Sequence, residues 1–385
     1  MSYSNVNIGV VADWLVTYAG SESVIKQILN VFPESTLYAV VDFLNERDRA
    51  ELFDRSAKTT FIQQLPFAKK LYQSYLPLMP YAIEQLNMKE HDIIISSSHA
   101  VSKGVLSGPD QLHISYVHSP MRYAWDLQHQ YLKESGYDSG LRGVLIKWFL
   151  HKMRLWDCRT SNSVDHFIAN SHFIARRIKK VYGRNADVIY PPVDISQFVF
   201  RESKDDYYMT ASRLVPYKRI DLIVDAFSLM PTKKLVVIGD GPEIKKIKMK
   251  ASSNVHILGY KDKSVLIDYM SHAKAFIFAA EEDFGIVPVE AQGCGTPVIA
   301  FGRGGALETV RPHGTGKATG LFFERQDVKS LIESVHRFEK IQDKILPSDC
   351  YNNALKFSSE RFDKEFSEYV REKWLLFNEN KTIFY

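Results

Sequence analysis

Six short apolar runs punctuate the second half of the chain, near residues 207–212, 234–239, 254–258, 275–280, 297–301 and 319–323, with helical patterns between them. Runs this short and sharply bounded read as buried strands. Strict alternation of strand and helix points to a parallel, doubly wound α/β sheet. Such sheets bind ligands outside the carboxyl ends of their strands. The loops that follow the runs therefore carry most of the information.

The loop after the fourth run is the richest. Glu281 to Pro297 reads EEDFGIVPVEAQGCGTP: an acidic turn, then Phe284-Gly285, then a helix expected from about Val287. Pro288 suits the first helical turn, where a missing N–H costs nothing. Strand end, glycine turn and helix start together aim the backbone N–H groups of Phe284, Gly285, Ile286 and Val287 over the strand, a setting suited to phosphate. Glu282 stands at the mouth of the loop, and Glu290 lies about one turn into the helix. Carboxylates repel phosphate, so these two suit the hydroxyls of a ribose or a sugar joined to it. The plain alternative is that Glu281, Glu282 and Asp283 complement the helix dipole, at about 0.3–1 kcal/mol each. That alternative leaves Glu290 unexplained.

Tyr208 to Leu214 (YMTASRL) runs into Val215-Pro216-Tyr217-Lys218-Arg219, with a helix expected from about Ile220. Arg213 and Lys218 thus share one strand-to-helix loop. Surface cations are usually just solvated. At a strand's carboxyl end they are also the counter-charge for a diphosphate, each charge-assisted bond contributing roughly 1.5–3 kcal/mol. Gly239-Asp240-Gly241-Pro242 and Gly259-Tyr260-Lys261-Asp262 follow the next two runs at the same end.

Arg213 with Lys218, Gly239-Asp240-Gly241-Pro242, and Glu282 to Glu290 running on into AQGCGTPVIA resemble the retaining glycosyltransferases of family 4, which have the GT-B fold. His118-Ser119-Pro120-Met121-Arg122-Tyr123-Ala124-Trp125-Asp126 is similar to the branch that builds bacterial O-antigens and capsules, often from GDP-mannose. The likeness runs from about residue 7 to about residue 330. It implies two Rossmann-like doubly wound domains facing across a cleft. Residues 1–195 would take the acceptor, and residues 196–361 the nucleotide-sugar donor. A terminal helix, about 362–385, would cross back to the first domain.

The resemblance also distributes roles. Glu290 would bind ribose, Glu282 the donor sugar, and Tyr260 with Lys261 the base, guanine and uracil both remaining open. Gly20 and the amide of Ser21 would reach towards the diphosphate; the family commonly has two glycines here, and this chain has Ala19-Gly20. His118 would touch the donor sugar, with its carbonyl near the reacting carbon. Asp13, Arg122 and Asp126 fall on the acceptor side, a structural salt link being an equal reading of the last two. Glu282, His118, Arg213 and Lys218 form the implied catalytic set.

The implied reaction moves mannose from GDP-mannose, or a hexose from a UDP-sugar, to a hydroxyl of a glycan or lipid-linked acceptor. Its hard step is departure of the diphosphate, which preorganised cations and N–H groups favour. The chain has no Asp-any-Asp triplet, so no metal and no cofactor are expected. Same-face transfer, with the departing phosphate oxygen taking the acceptor's proton, is preferred to double displacement on Glu282. An epimerase or hydrolase would consume donor without acceptor, and a silent nucleotide-sugar sensor would lack turnover. The spacing of Glu282 and Glu290 and the full set of charged groups speak against both.

In the first half, strands are expected at Asn7–Ala12, Thr36–Val41, Asp92–Ser96, Leu112–Val117, Asp165–Asn170 and Val188–Tyr190. Ser171 reads as a helix cap. A linker is expected at about 191–204, marked by Pro191-Pro192. Two blocks, Lys58 to Leu86 and Leu141 to Asn162, interleave aromatic residues with cations; the second sets Arg142, Lys147, Lys152, Arg154 and Arg159 against the single acid Asp157. Packed helices with solvated charges explain most of these residues. A basic, aromatic face on an anionic membrane surface is the other reading.

At 385 residues the chain fits two domains. A net charge of +4 is too small to indicate nucleic acid. Three scattered cysteines, Cys158, Cys294 and Cys350, form neither a disulfide framework nor a zinc pattern, which fits a reducing cytoplasm. With no basic leader and no apolar run near ~20 residues, a cytoplasmic enzyme, at most peripheral on the inner face of the membrane, is expected.

Overall fold

The computed structural model describes residues 6–383. The chain divides into two compact units, Met1–Tyr190 with Phe362–Tyr385, and Pro191–Arg361. The second unit thus starts at Pro191, against the expected 196.

Among the described residues the first unit holds β1 (Ile8–Ala12), β2 (Thr36–Ala39), β3 (Lys58–Thr59), β4 (Ile93–Ser98), β5 (Leu112–Val117), β6 (His166–Ala169) and β7 (Asp187–Val188). They pair in parallel in the order β3-β2-β1-β4-β5-β6-β7. β1, β4 and β5 are buried along their whole length, so both faces must be covered. Alternate side chains go to opposite layers: Val10 meets Val24, Ile25 and Ile28 of the helix Gly20–Val31, while Val11 joins Met79, Ile83, Leu150 and Met153.

The helix Ser359–Ile383 packs Phe362, Phe366 and Val370 into the first of these layers. Phe362 and Phe366 stack at 5.3 Å, with Tyr116 5.9 Å from Phe362. The last two residues of the expected 362–385 helix lie outside the described residues. Ser171 Oγ accepts the N–H of Ile174 and caps the helix His172–Tyr182. β3 opens the Lys58 to Leu86 block, where packed helices are expected for most residues. A two-residue edge strand has no room for the alternation that would betray it.

The second unit holds β8 (Tyr208–Ala211), β9 (Leu235–Ile238), β10 (Val255–Gly259), β11 (Ala275–Phe278), β12 (Val298–Phe301) and β13 (Gly320–Phe323), one for each apolar run. They too are parallel, in the order β10-β9-β8-β11-β12-β13. Each sheet reverses its winding once, between β1 and β4 and between β8 and β11. Side chains at a reversal meet no crossover helix above the strand ends, so those positions are open to a ligand.

Candidate active site

The reversal in the second unit brings the Arg213–Lys218 loop beside the Glu281–Gly285 loop, because β8 and β11 are neighbours. Lys218 Nζ donates to Glu282 Oε1, and both side chains keep about 15% of their surface, at 15% and 16%. A partly buried cation and carboxylate offset each other while remaining within reach of solvent. Arg213, on the same loop, is exposed and has no ion-pair partner among the described residues. Arg219 is held instead: its Nη1 donates to Gln326 Oε1 at 2.8 Å, and Gln326 Nε2 donates to the carbonyl of Ala279 at 2.8 Å.

Two neighbouring loops fix these positions from below. Leu214 N–H donates to the carbonyl of Asp240 at 2.9 Å, and Ser212 N–H to that of Ile238 at 3.1 Å. A side chain on Gly239 would put its first carbon 1.9 Å from the Ser212 carbonyl oxygen, so this turn must be glycine for the Arg213 loop to lie where it does. The Gly302–Gly305 turn supports Glu282 in the same way. Gly305 N–H donates to the Glu282 carbonyl at 2.8 Å, and a carbon added to Gly305 would come within 2.3–2.5 Å of the Phe284 backbone. That turn is the floor of the Glu282 loop.

The helix opens at Ile286, one residue earlier than expected, after Gly285 with φ of 82°. Its first N–H groups, with that of Gly285, point away from the helix body as at any helix start. Phe284 is buried and packs edge-on against Phe357 at 5.4 Å. Glu290 is partly buried in the first turns; burial pushes its carboxyl above the usual range, with Lys263 opposing. Tyr260 is 71% exposed and, with exposed Lys261, follows edge strand β10, two strands from β8.

In the first unit the expected residues take different parts. Asp13 is buried, and its carboxylate accepts four backbone N–H groups, those of His99, Ala100, Val101 and Ser102, at 2.6–3.0 Å. It ties β1 to the loop after β4, so its oxygens are turned into the protein and not towards an acceptor. Asp126 pairs with Arg177, which also donates to Ser119 Oγ at 3.0 Å. The salt-link reading of Asp126 is the one realised. Arg122 is partly buried.

His118 ends β5. Its Nε2 lies 2.8 Å from Ser97 Oγ, and its carbonyl accepts Asn170 Nδ2 at 3.0 Å. Burial, then the nearby His99, lower its pKa to about 3, against the pull of Asp13. It is a neutral imidazole at physiological pH. Gly20 opens the helix Gly20–Val31, but Glu22 folds back over that start: its Oε2 accepts Ala19 N–H at 3.0 Å and Ser21 Oγ at 2.9 Å. The chain's own carboxylate therefore stands where a phosphate was expected to approach.

Asp157 is the single acid of the block Leu141 to Asn162. It is fully buried and accepts Lys103 Nζ, Trp125 Nε1 at 2.7 Å and the Tyr182 hydroxyl at 3.0 Å, so it pins Trp125 of the segment after His118. The available signal was its isolation: a lone acid amid five cations is the natural buried counter-ion.

Residues 19–197 match the family model described as Glycosyltransferase Family 4, and residues 194–357 that described as Glycosyl transferases group 1. The chain belongs to glycosyltransferase family 4. Among its relatives is a GDP-mannose-dependent monoacylated alpha-(1-6)-phosphatidylinositol monomannoside mannosyltransferase of Corynebacterium glutamicum. The two are 30% identical over 206 residues, covering 46% of this chain and 53% of that protein. The alpha-1,3/1,6-mannosyltransferase ALG2 of Saccharomyces cerevisiae is 25% identical over 231 residues, 46% of each chain. The chain thus spans about half the length of these curated relatives.

Solved structures of other proteins share this GT-B fold. Anabaena Alr3699/HepE, solved with UDP, superimposes with a TM-score of 0.71 at 17% identity over 95% of this chain and 100% of that one. Sucrose-phosphate synthase of Thermosynechococcus elongatus does so with a TM-score of 0.73 at 16% identity over 96% and 100%. Among the described residues no helix is long and apolar enough to cross a membrane, and no group of three or more His, Cys, Asp or Glu is placed to hold a metal ion.

Proposed function

We propose that this family 4 member transfers mannose from GDP-mannose to a hydroxyl of a glycan acceptor, with retention, in the assembly of a bacterial surface polysaccharide. The observation that carries the reading is Lys218 on Glu282 at the β8/β11 reversal, beside the start of the helix Ile286–Gly293. The cation, with Arg213, faces the diphosphate, and the adjacent carboxylate faces the hydroxyls of the sugar. Tyr260 lies two strand spacings away, roughly 10 Å, which suits a base at the far end of one nucleotide. Glu290, within the field of Lys263, takes the ribose. The two mannosyltransferase relatives favour mannose over other hexoses.

In this reaction the bond from the anomeric carbon to the phosphate oxygen breaks, and the acceptor oxygen bonds to the same face. The acceptor's proton passes to the departing phosphate oxygen. Lys218, Arg213 and the helix-start N–H groups stabilise the charge that develops there. No metal or other cofactor takes part, and turnover persists in excess chelator. His118, being neutral, hydrogen-bonds the sugar without adding charge.

We further propose that the first unit rests on an anionic membrane. On the helix Gly140–Thr160, Leu141, Val144, Leu145, Trp148 and Leu155 stand exposed at helical spacing beside Arg142, Lys147 and Lys152. An apolar stripe flanked by cations suits an interface of acyl chains and acidic headgroups. The acceptor is then a lipid-linked glycan.

Thermal-shift screening with GDP-mannose, UDP-glucose, UDP-galactose and UDP-N-acetylglucosamine tests the donor, because a specific ligand raises the melting temperature by mass action. GDP-mannose is expected to give the largest rise. A rise with UDP-sugars alone replaces the mannose assignment, and no rise with any of them overturns the transferase reading.

A further inference from the structure

Two of the expected acceptor-side carboxylates are committed within the protein, Asp13 to the backbone of 99–102 and Asp126 to Arg177. The same corner of the first unit holds three groups that keep capacity for a ligand. His99 Nδ1 lies 3.0 Å from Asp13 Oδ2, with 30% of its side chain exposed. That carboxylate favours the proton on Nδ1 and leaves Nε2 as an acceptor. The Tyr123 hydroxyl is buried with no hydrogen-bond partner among the described residues. A buried hydroxyl left unmatched is costly, so this position favours an incoming polar group.

Trp14 is the third. It is partly buried, with the His99 ring edge-on to it at 4.6 Å and Tyr72 at 5.7 Å. Trp14, Tyr72 and Tyr123 pack on one apolar cluster. Burial, and then the field of Asp13, raise the pKa of Tyr123, which places its hydroxyl within electrostatic reach of the carboxylate that holds His99. Glu22 also lies within the field of His99. With Asp13 and Glu22 nearby, the corner disfavours a phosphate and fits an uncharged polyol.

We propose that Trp14, His99 and Tyr123 form the seat of a pyranose ring of the acceptor. The indole offers apolar surface to the C–H face of the ring. His99 Nε2 accepts from one ring hydroxyl, and the Tyr123 hydroxyl pairs with another. The seat rests on the transferase reading but is separate from the donor site.

The test is titration of the full chain with methyl α-D-mannopyranoside up to about 100 mM, a range suited to millimolar affinity, followed by saturation-transfer NMR. Donor binding is read in parallel by thermal shift with GDP-mannose. The parent chain is expected to bind the glycoside saturably. Tyr123→Phe and His99→Gln are each expected to weaken it roughly tenfold, the factor for one lost hydrogen bond, with the donor shift unchanged. Trp14→Phe, which keeps an aromatic surface, should weaken it less than either. No saturable binding by the parent, or equal binding by parent and both polar variants, overturns the seat. Absence of a GDP-mannose shift in the parent overturns the mannose assignment, and absence of a shift with any of the four donors the transferase reading; either leaves the glycoside titration to report on the seat alone.

Discussion

The two sheets share one winding scheme and treat its reversal in opposite ways. Between β1 and β4 the first unit spends a buried carboxylate, Asp13, on four backbone N–H groups, so that carboxylate is taken up by the chain itself. Between β8 and β11 the second unit sets Lys218 against Glu282 and leaves a helix start beside them. A carboxylate locked onto amides cannot be recruited by a ligand without breaking the loop. A cation shared with one carboxylate can be, because a phosphate offers it a stronger partner. One topology thus yields a rigid, negative corner and a responsive, positive one.

The sharpest way to break this contrast is to remove each anchor. Asp13→Ala should destabilise the first unit by about 3–5 kcal/mol, since four buried N–H groups lose their acceptor at once. Calorimetry should show that loss, and conservative Asp13→Asn should recover only part of it. Lys218→Ala should leave the fold intact but lower kcat about 10²- to 10³-fold, roughly 3–4 kcal/mol of transition-state stabilisation. If both variants fail in the same way, by unfolding, the two reversals do not differ as described.

Acidification should separate the units further. Burial holds His118 at about 3 and His113 at about 4, against an ordinary value of 6.5, and also lowers His91 and His166. Unfolding lets these rings take up protons. Their contribution to stability is complete above about pH 6.5 and is lost as pH falls towards 4 and 3, at up to about 1.4 kcal/mol per pH unit for each ring. Glu22, raised by burial, works the other way within the same unit. In the second unit the raised Glu290 carboxyl contributes stability below the ordinary carboxylate range, lost as pH rises through its folded value. Chemical denaturation at a series of pH values should therefore show the first unit weakening in acid before the second. The smallest expected effect lies on the membrane face. Trp148→Glu should weaken partition onto phosphatidylglycerol vesicles roughly tenfold, read by sedimentation, without changing donor-induced stabilisation.

The strands were legible because parallel strands are covered on both faces and read as unbroken apolar runs, as in Ala275–Phe278 and Leu112–Val117. The donor loops were legible because their charges sit within a few residues of such a run. The acceptor side was not. Whether Asp13 faces a ligand or the amides of 99–102 depends on a contact across 86 to 89 residues, which leaves no local mark. His99 went unremarked for the same reason: only folding brings it to Asp13. Tyr123 was in view within its motif, but an unmatched hydroxyl is a property of packing, which no spacing reveals.

The fit of Gly305 beneath Phe284 carries a lesson for engineering donor preference. The segments 281–285 and 302–305 behave as a single cassette, since neither can be re-contoured while the other keeps its shape. Grafting only the acidic segment from another transferase onto this scaffold would leave the transplanted carboxylate standing off its mark, however well chosen its side chains; both segments have to be exchanged together.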